Sequence, residues 1–246
     1  MPEEKRKIVY PSQVVGDTRS SKPGRGVFVE KGQIRSERLG IVQMNKNYVN
    51  VNPLKGRYDP TPGDFVIGVV EMVSTSMWLL DVRAPAPALL HVNEVPWDVD
   101  FGDTQSYLQV GDCVSARISD VDEIKKINAS MKKPYDRHRR DHRGNDRDRG
   151  TDRRSSDPPF QKLNGGFLME VDAMKVPRII GKQGSMISLI KKETGCRVFV
   201  GKNGRIWIDG ELDAIEKVVS AVSIIEREAT SFGLTNRIEE FLKNNE

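Results

Sequence analysis

Two periods run through the hydrophobic positions of this chain. Between residues 176 and 200, apolar side chains fall at Ile179, Ile180, Met186, Ile187, Leu189 and Ile190, the spacing of a buried helical face. Gly181-Lys182-Gln183-Gly184 interrupts that face, so the pattern predicts helix, turn, helix. A strand candidate at 167–171 precedes it, and two more follow at 197–200 and 205–208, separated by Gly201-Lys202-Asn203-Gly204. Asn-Gly is a strong turn signal. A long helical pattern then covers 211–229, with Leu212, Ile215, Val218, Val219, Val222 and Ile225 on one face. The residues 231–236 break it, and Thr235 or Asn236 can cap a last short helix over 237–242.

Upstream the period shortens. Strand candidates at 8–10, 27–30, 40–44 and 48–51 stand between turn residues, which predicts a small all-β domain over 1–57. Gly24-Arg25-Gly26 lacks the third glycine and following helix of a dinucleotide fingerprint, since position 29 is Val29, and it is read as a hairpin turn. Pro60-Thr61-Pro62-Gly63-Asp64 marks a boundary. Beyond it come strand candidates at 65–72, 77–82, 88–92, 113–118 and 127–131, which suggest a five-stranded barrel of the OB type. Gly68 is expected to let its strand bend. Alternation places Trp78 with Leu80 and Val82, a position open to either core or surface stacking.

Composition narrows the class. The 246 residues carry a formal net charge of +4, a modest bias toward anionic partners. Cys113 and Cys196 have no CxxC or Cys/His spacing, so a disulfide framework and a zinc site are not expected, and a reducing cytoplasm fits. No run of about 18 apolar residues suggests a membrane span, and no apolar segment follows the charged start as a signal peptide requires. Residues 135–157 hold eight arginines and six aspartates without apolar periodicity. Such a stretch cannot bury enough surface to fold, so 135–158 is expected to be a disordered linker. His138 and His142 lie there at i, i+4 without further ligands, so no metal is assigned. No paired carboxylate, nucleophile–base set or cofactor motif is evident, and the reading is non-catalytic with no cofactor.

The order strand, helix, GxxG, helix, strand, strand, helix, with Lys182 inside the GxxG, resembles the KH fold with its extra C-terminal helix. In that fold the loop clamps the backbone of a short single-stranded nucleic acid. The resemblance implies contacts from Gly181, Lys182, Gln183 and Gly184, with Arg178 and Ser185 beside them. Residues 89–95, 110–122 and 125–132 resemble the closing half of an S-one-type RNA-binding barrel, with Val110-Gly111-Asp112 and Ser130-Met131-Lys132 as its most specific signs. Matched position by position, His91, Asp122, Lys126 and Lys132 fall on or beside the RNA-binding face, but Ser76 and Leu79 stand where that family usually has stacking phenylalanines.

A small β domain, an S-one-type barrel and a KH domain, in that order, resemble the RNA-binding cap subunits of the archaeal exosome over nearly the whole chain. The Arg/Asp-rich insert departs from that family. The fold class is accordingly multidomain: an all-β N-terminal domain (1–57), a five-stranded OB-type barrel (60–134), the linker, an α+β KH domain with a three-stranded sheet and three helices (160–235), and a short C-terminal helix (236–246). The resemblance implies a non-catalytic component of a 3′-to-5′ RNA-degrading complex. Three copies would cap a hexameric ring of phosphorolytic RNase-like subunits, docked through 1–57, and pass single-stranded RNA inward. A free-standing RNA-binding factor in translation or RNA stability has the same modules and stays open. A polynucleotide phosphorylase fragment would carry its KH module before the barrel, the reverse of the order here.

Overall fold

The computed structural model describes residues 7–45, 47–54, 56–100, 102–132, 160–229 and 233–243. The segment read as a linker, with His138 and His142, lies outside the described residues. The chain divides into two compact units, Met1–Arg57 and Tyr58–Glu246.

The first unit is all β. Its strands are β1 (Ile8–Val9), β2 (Val14–Asp17), β3 (Lys22–Pro23), β4 (Val27–Glu30), β5 (Gln33–Ser36), β6 (Gly40–Asn45) and β7 (Tyr48–Pro53). They form two sheets, ordered β1-β6-β7-β3 and β2-β5-β4. Lys31 and Gly32, with φ of 50° and 78°, turn the β4–β5 hairpin. Positive φ at both turn positions matches the twist of paired strands. Residues 24–26, expected as a hairpin turn, instead carry the chain from β3 of one sheet to β4 of the other. Among the described residues of this unit, Val9, Ile34, Val49 and Val51 are the buried hydrophobic ones.

In the second unit, β8 (Phe65–Val73), β9 (Met77–Asp81), β10 (Ala88–His91), β11 (Cys113–Val121) and β12 (Ile127–Ser130) form a five-stranded barrel. It closes because β12 pairs with β11 antiparallel and with β10 parallel. A one-turn helix, α1 (Thr104–Tyr107), lies in the β10–β11 connection. Alternate residues fill the interior: Val66 and Val70, Trp78 and Leu80, Ala88 and Leu90, Val114, Ala116 and Ile118, then Ile127 and Ala129. Trp78 is therefore core, and its Nε1 donates to the Leu108 carbonyl at 3.3 Å. Strand β8 carries a register shift between Val70 and Met72. Gly68 is needed for space, because a Cβ there would lie 3.1 Å from that of Leu80.

A short strand, β13 (Lys162–Leu163), pairs with the start of β11 and leads into the third module. Its elements are β14 (Phe167–Glu170), α2 (Val176–Ile180), α3 (Ser185–Thr194), β15 (Arg197–Val200), β16 (Arg205–Asp209), α4 (Leu212–Arg227) and α5 (Leu234–Lys243). The antiparallel sheet has the order β14-β16-β15. Val198, Ile206 and Ile208 face a core built with Ile179, Met186, Ile190, Val218, Val222 and Ile225. Helix α5 starts at Leu234, so Thr235 and Asn236 sit inside its first turn instead of capping it. Leu234, Ile238 and Leu242 bury it in the same core.

The other face of this sheet meets the barrel. Trp207 packs with Ile67 of β8 and Leu163 of β13. The β15–β16 turn enters the contact as well. The fully buried Asn203 accepts from Ile67 N at 3.3 Å and donates to Ile67 O at 2.8 Å and Val82 O at 3.1 Å. Gly204 closes the turn at φ 80°, and a Cβ there would lie 2.4 Å from the Val171 carbonyl. Lys202 reaches Asp64 at 2.7 Å, and the second oxygen of that carboxylate accepts from the Tyr58 hydroxyl. Burial, then the charge of Asp64, push the Tyr58 phenol far above its ordinary pKa. An alternating ring of charges completes the junction. Arg205 pairs with Asp81 and with Glu170, Arg83 stands 3.6 Å from the other oxygen of Glu170, and the Arg83 amide donates to Asp81. Burial pushes the Asp81 carboxyl up, but the Arg83 amide and the Arg205 guanidinium outweigh it and hold the group below its ordinary value.

Candidate nucleic-acid interface

The GKQG loop is built by local sequence. Helix α2 ends because Gly181 adopts φ 77° and ψ 176°. Lys182–Gly184 then form a single tight turn in which Gln183 takes φ 53°. Gly184, at φ 79°, is the N-cap of α3, and no side chain bonds to the first-turn amides there. A helix start of this kind presents N–H groups and a partial positive charge to an anion. Gly181 keeps the approach open: a Cβ at that position would fall 2.7 Å from the Met186 nitrogen. Lys182, Gln183 and Ser185 are exposed, and Arg178 is half-buried in the last turn of α2. All six residues read as KH contacts thus lie on one connected stretch, α2, the turn and the first residue of α3. Two glycines shape it, and no side chain caps the start of α3.

The sequence reading missed two cation–ring pairs in this module. Lys191 Nζ lies 5.9 Å from the Phe199 ring centroid, and burial lowers the pKa of that lysine. Arg197 lies 5.4 Å from the Trp207 centroid, and the two rings stack at 5.5 Å. Packing of α3 beside β15 brings the first pair together, and the β15–β16 register, which sets Phe199 level with Trp207, brings the second. A lysine and a phenylalanine eight positions apart carry no periodic signal.

The four barrel residues do not form one cluster. His91 ends β10, and its Nδ1 accepts from the Asn93 amide at 3.1 Å, capping the short turn at Val92–Glu94. Asp122 organises the β11–β12 turn, where its carboxylate accepts from the Lys126 amide at 2.7 Å. Parallel pairing sets Ala88 level with Ile127, so Lys126 and His91 stand about four residues apart along the strands. At about 3.3 Å per residue that is roughly 13 Å. Lys132, exposed just beyond β12, lies at the His91 end. Leu79 faces outward between Met72 and Leu89, so an aliphatic row occupies the middle of this face. Ser76 is half-buried in the β8–β9 turn, and its carbonyl accepts from Val92 N.

Among the described residues, no group of three or more His, Cys, Asp or Glu side chains could hold a metal ion, and no helix is long and apolar enough to cross a membrane.

A closed five-stranded barrel followed by a βααββα module with an open GxxG turn defines a multidomain protein of the OB-plus-KH class. Residues 167–223 match the KH domain family. The chain is 38% identical over 239 residues to the exosome complex component Rrp4 of Picrophilus torridus, covering 97% of this chain and 93% of that protein. It is 42% identical to the Rrp4 component of Methanosarcina mazei, covering 97% and 82% respectively. A crystal structure assigned as an exosome complex RNA-binding protein superposes with a TM-score of 0.60 at 28% identity, covering 77% of this chain and 97% of that one. The chain belongs to the Rrp4 family of exosome complex components.

Proposed function

We propose that this chain is a non-catalytic, RNA-binding component of an exosome. In this reading it caps a ring of phosphorolytic RNase-like subunits, three copies to six ring positions, in the cytoplasm. It captures single-stranded RNA and feeds it to the catalytic subunits. The open GKQG turn carries the RNA part of the proposal, because two glycines clear a helix start and Lys182 adds charge at the same point. His91, Asp122, Lys126 and Lys132 give the barrel a more dispersed contact, in which Lys126 and Lys132 supply the charge and the middle of the face has no aromatic platform. The docking part rests on residues 1–57. Among the described residues of that unit, nine large hydrophobic side chains are exposed and four are buried. Exposed apolar side chains in that number fit a protein partner.

Changing Lys182 and Gln183 together to aspartate tests the RNA part. Both side chains are exposed, so the melting temperature should barely move. One positive charge becomes two negative ones beside the RNA backbone. Each such interaction is worth roughly 1–4 kcal/mol at about 4 Å. Affinity for single-stranded RNA should fall at least about tenfold. Unchanged or tighter binding by a well-folded double variant would reduce GKQG to a structural turn.

A further inference from the structure

The net positive charge of this chain comes from its first unit. Residues 1–57 hold 12 Lys and Arg against five Asp and Glu, a formal net of +7, whereas the whole chain carries +4. The other residues are therefore net negative, by three. Docking to a protein ring through exposed apolar side chains makes no use of this charge, so the surface that carries it calls for a separate account.

One face of the sheet β1-β6-β7-β3 has the matching chemistry. Val49 and Val51 are buried, so alternation along β7 turns Tyr48, Asn50 and Asn52 to the opposite side. Tyr48 is 48% exposed. Strand β3 runs parallel to β7 with Lys22 level with Tyr48, and Lys22 Nζ stands 5.9 Å from the tyrosine ring centroid. On the other flank β6 sets Gln43 level with Asn50, and Gln43 Oε1 accepts from Asn52 Nδ2 at 2.7 Å. Arg25 runs beside the same strand, its amide bonded to Asn50 Oδ1 at 2.9 Å. The result is an exposed aromatic ring with a cation beside it and a row of side-chain amides, with the exposed Arg25 held at the edge by its backbone.

We propose that this face is a further contact surface for single-stranded RNA, with a base stacked on Tyr48 and phosphates met by Lys22 and Arg25. A π-face accepts any base, so the contact is sequence-tolerant, and the amides add hydrogen bonds to base edges. The net charge of the unit complements a polyanion. Val14, Phe28 and Val29, exposed on the other sheet, leave that sheet for a protein partner. The inference rests on the RNA-handling reading above and extends it to a unit that the sequence had suggested only for docking.

The test compares four full-length proteins binding a labelled, unstructured RNA of about 20 nucleotides: the wild type, Lys22→Ala/Tyr48→Ala, Tyr48→Phe and Lys182→Asp/Gln183→Asp. Loss of one stacked base and one phosphate contact should weaken the first variant about tenfold and flatten its salt dependence. Tyr48→Phe keeps the π-face and should stay within about twofold of wild type. Ultraviolet cross-linking of the wild type should attach RNA to the peptide containing Tyr48, a readout that does not depend on any variant folding. Wild-type affinity in a well-folded Lys22→Ala/Tyr48→Ala protein, or the absence of that cross-link, would overturn the proposal. If the Lys182→Asp/Gln183→Asp protein alone loses affinity, only this face is ruled out and the wider RNA reading stands. If the wild type binds no RNA, both fall. Should the Lys22→Ala/Tyr48→Ala protein keep its RNA affinity but separate from partner subunits, the face is a protein-docking surface and the proposal fails.

Discussion

Asn203 joins two domains with one amide. Its side chain uses both its donor and its acceptor on the barrel backbone, and it is wholly removed from solvent. The sequence marked Asn203-Gly204 as a turn, and the turn is there. Its docking was not legible, because its partners Ile67 and Val82 lie 136 and 121 residues away in the chain. A separation of 138 residues likewise hid Lys202 from Asp64. By contrast, the GKQG turn was legible in full, since everything that shapes it lies within ten residues. Replacing Asn203 by alanine strands three backbone groups at a buried junction. Each buried polar group left without a partner costs about 1–3 kcal/mol. With some relaxation, the expected destabilisation is about 2–4 kcal/mol by denaturant or thermal unfolding of the full chain. A change under about 0.5 kcal/mol would mean that the contact is incidental.

At the scale of elements, long periodic segments were readable and short polar ones were not. The five barrel strands and the helices α3 and α4 follow their hydrophobic spacing closely. Strands β2, β3, β5 and β13 have two to four residues each, and sequences such as KP, QIRS and KL give alternation too little length to show. They exist because neighbouring strands supply the pairing. The charge ring of Asp81, Arg83, Glu170 and Arg205 likewise depends on the ends of β9, β14 and β16 meeting. Its pH dependence has a definite sign. Asp81 in the folded chain titrates below its ordinary value of 3.8, so the unfolded chain takes up that proton first as pH falls. The stabilisation is complete well above that value and is lost as pH drops through the folded pKa. The melting temperature of wild type should exceed that of Asp81→Asn by a constant margin near neutral pH. The margin should shrink below about pH 4. A margin that persists unchanged at pH 2, or that is absent at pH 7, would remove Asp81 from the junction's stability.

For the whole molecule, the barrel and the KH module behave as one unit, tied by Trp207, Asn203 and the charge ring, while residues 1–57 form a unit of their own. The RNA surface proposed for the second unit would thus be presented on a fixed frame. The first unit contributes exposed apolar side chains and a net positive charge. This division underlies the central claim, that the chain works as an RNA-capturing component of a larger degrading complex and does no chemistry itself. The most direct measurement is the mass and composition of the assembly that the tagged full-length chain brings out of a native lysate of its source cells, beside the same chain lacking residues 1–57. The account predicts that the full chain elutes in a large complex with phosphorolytic RNase-like subunits, three copies to six, and that the truncated chain elutes without them. A full chain that elutes alone, or a truncated chain that stays in the complex at full stoichiometry, would contradict it.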